Sequence, residues 1–187
     1  MNTNWLLAGM LGIIAITSVS THSPSPTVPL SQSESFDSAI AFTQKWEGGQ
    51  SHHPLDSGGR TGMGGITQRT YDAYRIAKGL PTLDVFSASA SDRREIYQQY
   101  WDSSGCKRYA QPLATACFDS YITFNPQTAA SLMNRLDTDP AIAAKQVALR
   151  RIAFRKLRVA EQSDQRVFFQ GWLNRDKALL DLANSGH

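Results

Sequence analysis

The sequence predicts a mainly α-helical domain carrying one small irregular or β-hairpin lobe. Three observations point there. Six or seven segments place apolar residues at helical spacing, and almost nothing alternates in the manner of a half-buried strand. A single glycine-rich stretch, Gln50 to Ile66, interrupts the helical pattern. Hydrophobic residues at 41% and charged residues at 19% fit a globular chain, and 187 residues leave room for one domain with an extension.

The extension comes first. Trp5 to Val19 is an uncharged, mostly apolar run, shorter than the roughly 20 residues a spanning helix needs. Small residues at Ser18-Val19-Ser20 suit a signal peptidase. Residues 1–20 are therefore expected to be a signal peptide or, alternatively, a retained N-terminal anchor. No Lys or Arg precedes the run, which is unusual for an export signal. Residues 21–35 are rich in Ser, Thr and Pro and read as a linker. Residues 36–187 form the folded domain, outside the cytoplasm in either case.

The first helix is expected from Phe36 to Glu47, with Ser33 or Ser35 as N-cap and Gly48 or Gly49 ending it. Beyond the glycine-rich stretch, Thr67 caps a segment carrying Tyr71, Tyr74 and Ala77, stopped by Gly79 and Pro81. Ser91 caps the next, with Ile96, Tyr97, Tyr100 and Trp101 at helical spacing. Pro112 suits a first helical position and opens Leu113 to Phe124. Pro126 starts a short helix to about Leu136, and Asp139-Pro140 starts a long one from Ala141 to Glu161. A last helix carries Phe168, Trp172, Leu179 and Leu180 and frays at Ser185-Gly186.

Charge is unevenly placed. From Lys145 to Lys177 there are nine Lys or Arg against Glu161, Asp164 and Asp176. Such a segment either docks on an anionic polymer or forms a solvated helix face. Export argues against nucleic acid as the polymer. The two cysteines, Cys106 and Cys117, can form a disulfide in an oxidising compartment, closing a loop worth about 2–3 kcal/mol. The alternative is a buried Cys117 and a free Cys106. His52-His53 with Asp56 do not make a metal site, because adjacent histidines point opposite ways on most backbones. No metal or cofactor is expected.

One acidic residue stands apart. Phe36, Ile40, Thr43 and Glu47 lie at i, i+4, i+7 and i+11, and eleven steps of a helix return to within about 20° of the start. Glu47 therefore continues an apolar stripe at a helix C-terminus, where burial and unpaired carbonyls both disfavour a negative charge. A carboxyl so placed is expected to stay protonated and to serve as a general acid. The plainer alternative is a solvent-facing last residue of a helix. Asp56-Ser57-Gly58-Gly59 reads as an Asx-type turn, and with Gly62, Gly64 and Gly65 it forms a loop that can approach a flat ligand. Tyr100 and Trp101 are suited to stacking on sugar faces, or else to the core.

Three runs carry a resemblance: Trp46-Glu47-Gly48-Gly49, the turn from Asp56 through Gly58-Gly59 to Thr61, and Gly65-Ile66-Thr67. Together they resemble the N-terminal signature of glycoside hydrolase family 108, the lysozyme-like N-acetylmuramidases. Ile96-Tyr97 with Tyr100-Trp101-Asp102, then Pro112-Leu113-Ala114 with Phe118-Asp119-Ser120, and Gly171-Trp172 with Arg175 are similar to later segments in the same order. The resemblance implies a lysozyme-like helical fold that cleaves the β-1,4 bond after N-acetylmuramic acid in peptidoglycan. Glu47 would be its acid, with Asp56 as the nearest second carboxylate and Thr67 as a hydroxyl that positions water. Gly58, Gly59, Tyr100 and Trp101 would line the substrate.

The chain departs from that pattern twice. Gly62-Met63-Gly64 adds a residue before Gly65, and Thr123-Phe124-Asn125 replaces the usual Asn-x-Gly. Alternatives to the muramidase reading are a non-catalytic wall-binding protein and a hydrolase of chitin- or chitosan-like polymers. A monomer is expected, meeting membrane only through an uncleaved N-terminal segment.

Overall fold

The computed structural model describes residues 30–50 and 60–185. Among them run seven α-helices: α1 (Gln32–Trp46), α2 (Gln68–Ala77), α3 (Ala90–Ser104), α4 (Leu113–Thr123), α5 (Pro126–Leu132), α6 (Pro140–Glu161) and α7 (Arg166–Ser185). Single 3-10 turns stand at Val85–Ser87, Cys106–Arg108 and Ser163–Gln165. The mainly α fold is as the sequence predicts. The N-terminal run and the Asp56-Ser57-Gly58-Gly59 turn lie outside the described residues.

Local chemistry explains most helix ends. Thr67, Asn125 and Asp139 each accept a backbone N–H of the first turn they cap, and Pro126 and Pro140 fill first-turn positions. Two starts fall earlier than spacing suggests, for one reason. Ser31, not Ser33 or Ser35, and Ser89, not Ser91, find an acidic residue three positions on, Glu34 and Asp92, and each pair closes a reciprocal capping box. α3 ends on Gly105 in the left-handed region at φ 71°. α5 stops at Leu132, four residues short of expectation, and Arg150 of α6 donates to the carbonyls of Leu132 and Asn134 at its end.

α4 is the hub. Leu113 through Ser120 are all buried, as a helix apolar on every side must be. On one flank Phe118 and Cys117 pack with Phe36, Ala39 and Ile40 of α1 and with Tyr97 and Trp101 of α3. On the other, Leu113 and Ala116 meet Ala143, Ala144, Val147 and Ala148 of α6 and Leu179 and Ala183 of α7. The alanine-rich face of α6 lets these helices approach closely. The Cys106–Cys117 disulfide forms as expected and pins the turn after α3 to α4, with Cα atoms 5.6 Å apart.

A smaller cluster, Ile66, Tyr71, Tyr74, Val85, Ala88 and Ile96, supports the lobe between α1 and α3. The lobe is irregular among the described residues. Its regular pairing is an isolated antiparallel bridge between Thr61 and Thr67, with Gly62 donating to the Ile66 carbonyl at 2.8 Å and Gln68 to that of Arg60 at 2.9 Å. This bridge folds residues 60–68 into a tight loop. Gly64 and Gly65 at its tip have φ of 79° and 70°, a backbone that other residues rarely adopt.

Candidate active site

The loop tip lands on Glu47. Glu47 is the C-cap of α1, extended at φ −77° and ψ 114°, with its N–H still bonded to the Thr43 carbonyl at 3.1 Å. Leaving the helix turns its side chain inward, where it keeps 14% exposure. A Cβ on Gly65 would overlap Glu47 Oε2 and lie 2.6 Å from Cδ, so only glycine lets the loop sit there. The Tyr97 hydroxyl donates to the Gly64 carbonyl and fixes the tip from below. Burial, then the neighbouring Glu47 carboxylate, pushes the Tyr97 phenol well up, so it remains a donor.

The other carboxyl oxygen has a partner that sequence spacing did not supply. Arg175 of α7 places Nη1 at 2.7 Å from Glu47 Oε1. The same guanidinium gives its remaining edge to Asp119 of α4, with Nη2 at 2.6 Å from Oδ1 and Nε at 3.0 Å from Oδ2. Asp119 also accepts from Thr43 Oγ1 at 2.9 Å and pairs with Arg151 Nη1 of α6 at 2.7 Å. Arg151 Nε reaches Asp176 Oδ1 at 2.7 Å, and Arg155 lies 3.7 Å from the other Asp176 oxygen. Three carboxylates thus alternate with three guanidiniums from Glu47 to Arg155, joining α1, α4, α6 and α7.

Electrostatics differ along this chain. Burial alone would raise Asp119, but Arg175 and Arg151 outweigh it and hold its carboxyl well below the usual carboxylate range. Burial works against the Arg175 charge too, and Asp119 and then Glu47 overcome it, leaving that guanidinium more firmly protonated than a free one. At the far end burial wins. It raises Asp176 despite two arginines, and it pushes Arg155 down to about 10. The expectation of an anionic-polymer face or a solvated face on the basic segment is corrected for these residues. Arg151, Arg155 and Arg175 point inward because three carboxylates there must be neutralised.

The remaining predicted site residues divide. Trp101 is corrected: it is 2% exposed, packed against the rings of Phe36 and Phe118, and cannot stack on a sugar. Tyr100, one position along the helix, is exposed and borders a cavity of about 450 Å³ between α2 and α3 with Arg69 and Tyr74. Thr67 is half-buried beside the loop, its hydroxyl accepting the Thr70 N–H at 3.2 Å as the N-cap of α2. Asp56, Gly58 and Gly59 lie outside the described residues, as do His52 and His53. Among the described residues no group of His, Cys, Asp and Glu could hold a metal ion, and no helix is long and apolar enough to cross a membrane.

Chemically, the arrangement offers one partly accessible carboxyl, oriented by a single N–H and pressed by a glycine loop. Asp119, the other carboxylate bonded to Arg175, is fully buried and locked by two guanidiniums, so it cannot meet a substrate.

Comparison with known proteins bears on the family and the fold. Residues 40–124 match the family described as Glycosyl hydrolase 108, a stretch that includes Glu47, the glycine loop and Asp119. Among solved structures the chain is similar to Brucella abortus SagA, with a TM-score of 0.64 and 21% identity over 82% of this chain and 95% of that one. No curated protein matches the sequence. At that identity the likeness to SagA concerns the fold, and the family match concerns the glycosidase. Residues 40–124 therefore match a glycosyl hydrolase 108 domain, and the fold is mainly α and lysozyme-like, with Glu47 at the contact between the glycine loop and the C-terminal helix.

Proposed function

We propose that this protein is an exported, monomeric peptidoglycan hydrolase that cleaves the β-1,4 bond after N-acetylmuramic acid, with Glu47 as the general acid. The observation that carries this reading is the placement of Glu47: a carboxyl at 14% exposure, held by Arg175 at 2.7 Å and overlain by Gly65, inside a glycosyl hydrolase domain. Glycoside hydrolysis needs a proton delivered to the leaving oxygen as the bond breaks. Arg175 spends two of its nitrogens on Asp119 and one N–H on Glu47, so it aims the carboxyl while most of its charge is matched elsewhere.

A second group must activate water or stabilise the cationic sugar. Asp119 is excluded by burial, and Asp56, the acidic residue nearest to Glu47 in the sequence, is assigned that role. Thr67 sits where the loop returns and is assigned to positioning water. The disulfide fits a protein exported to an oxidising compartment.

Incubation of the purified domain with peptidoglycan sacculi tests the reading. New reducing ends on N-acetylmuramic acid are expected, and Glu47→Gln should abolish them while leaving the melting temperature within a few degrees. Sacculi that bind the protein without yielding reducing ends would identify a wall-binding module instead.

A further inference from the structure

The far end of the charge chain opens on a second cavity. It measures about 400 Å³ and lies between the end of α4 and helices α6 and α7, with Phe124, Phe154, Trp172, Asn125, Arg155 and Arg158 on its walls. Arg155 is 5% exposed, and its guanidinium is held between two rings, 4.1 Å from the centre of Phe124 and 4.5 Å from that of Trp172. Its Nε and Nη2 have no hydrogen-bond partner. The 3.7 Å to Asp176 is an ion pair but too long for a hydrogen bond. A buried guanidinium in that condition leaves strong donors unmet, and such groups normally have a partner. Burial pushing this arginine down to about 10 agrees.

The cavity is built on the same two helices that hold the partners of Glu47. Trp172 precedes Arg175 on α7 by three residues, and Thr123, on the cavity wall, follows Asp119 on α4 by four. Both offsets are about one helical turn, a rise of about 5 Å. A polymer seated at Glu47 can therefore extend a side branch over the cavity. The walls state what that branch must be: a carboxylate for the guanidinium, Arg158 as a second cation at the rim, amides of Asn125 and Gln165, and rings for an aliphatic stem.

We propose that this cavity binds a carboxylate of the peptide branch carried by the wall polymer, so that the enzyme prefers peptide-bearing glycan. The inference rests on the proposed peptidoglycan substrate. One chemistry, a carboxylate, has two sources there: the stem peptide, or the lactyl acid of a muramic residue stripped of its peptide.

The test compares initial rates on intact sacculi and on the same sacculi freed of stem peptides by an amidase. The wild type is expected to favour intact sacculi by about tenfold, the worth of one charge-assisted hydrogen bond. Arg155→Gln and Arg158→Gln should each bring the two rates together by lowering only the first. Arg158 is exposed, so its variant decides the matter if Arg155→Gln does not fold. Equal wild-type rates, or variants that lose both rates in proportion, overturn the proposal, and a preference for stripped glycan assigns the cavity to the lactyl acid instead. If neither substrate is cleaved, the hydrolase reading fails by itself. Titration of the tripeptide L-Ala-γ-D-Glu-diaminopimelate then judges the cavity: saturable binding weakened by Arg158→Gln supports it, and no binding refutes it.

Discussion

Arg175 Nη1 lies 2.7 Å from Glu47 Oε1 although 128 residues separate them in the chain. This contact ties the C-cap of α1 to the middle of α7, and it is the route by which the C-terminal helix reaches the proposed acid. Arg175 does not touch substrate in this account. It positions.

Substituting Arg175 should separate positioning from folding. Arg175→Gln leaves Asp119 buried with one guanidinium fewer, and a loss of about 3–5 kcal/mol is expected in denaturant unfolding. Arg175→Lys retains a charge but not the fork that serves Asp119 and Glu47 together. Its kcat is expected to fall by about a hundredfold, as for a misplaced catalytic group, with KM nearly unchanged. A rise in KM alone would assign Arg175 to substrate binding.

Gly65 should tolerate no side chain. Alanine there meets the Glu47 carboxyl and a φ of 70°, a backbone costing roughly 1–2 kcal/mol for an L-residue. Gly65→Ala is expected to lose both stability and activity. Gly49→Ala, with nothing within 4 Å of the added carbon, should stay within about 0.5 kcal/mol of the wild type. Equal behaviour of the two variants would remove the loop from the site.

The buried charges predict an acid limb in stability. Asp119 titrates well below its ordinary range in the fold and near 3.9 in the unfolded chain. Its contribution is therefore complete above about pH 4 and is lost as the pH falls through the lowered native value. Asp119→Asn should flatten that limb and destabilise the protein at neutral pH. Asp176, raised by burial, acts in the opposite sense: acid protonates it in the fold before it does so in the unfolded chain. Asp176→Asn should therefore be milder at neutral pH, measured by urea unfolding across the range.

Reducing Cys106–Cys117 removes a cross-link spanning 11 residues. A loss of about 2–3 kcal/mol follows from loop entropy. Cys106→Ser with Cys117→Ser is expected to show that loss in unfolding while retaining kcat, since the contacts that hold Glu47 come from Arg175 and Gly65. An unchanged stability would mean that the core alone fixes the turn after α3.

Much of this was legible in the sequence, and for physical reasons. Proline, glycine and Ser/Thr/Asp signals act locally, so the starts of α2, α4 and α6 fall at or within one residue of their expected positions. The starts of α1 and α3 fall earlier than spacing predicts, because among closely spaced serines the one with an acid three positions on makes the cap. Glu47 was legible as a candidate from the register of α1 carried one residue past its end, although in the fold it turns inward by leaving the helix. Its partner was not, because nothing in local spacing links residue 47 to residue 175. A clue existed in Asp119, a lone carboxyl inside the apolar run of α4, which burial obliges to find cations. The basic segment holds them, but helical spacing alone does not say which arginines turn inward. Trp101 and Tyr100 show the same limit: adjacent aromatics on one helix face opposite fates, core and cavity rim.

The most direct test of the central claim is the release of reducing ends from purified sacculi by wild type and Glu47→Gln at matched folding, with products resolved by mass spectrometry. The account predicts muropeptides ending in reducing N-acetylmuramic acid from the wild type and a loss of at least about a hundredfold in the variant. Undiminished release by Glu47→Gln would contradict it.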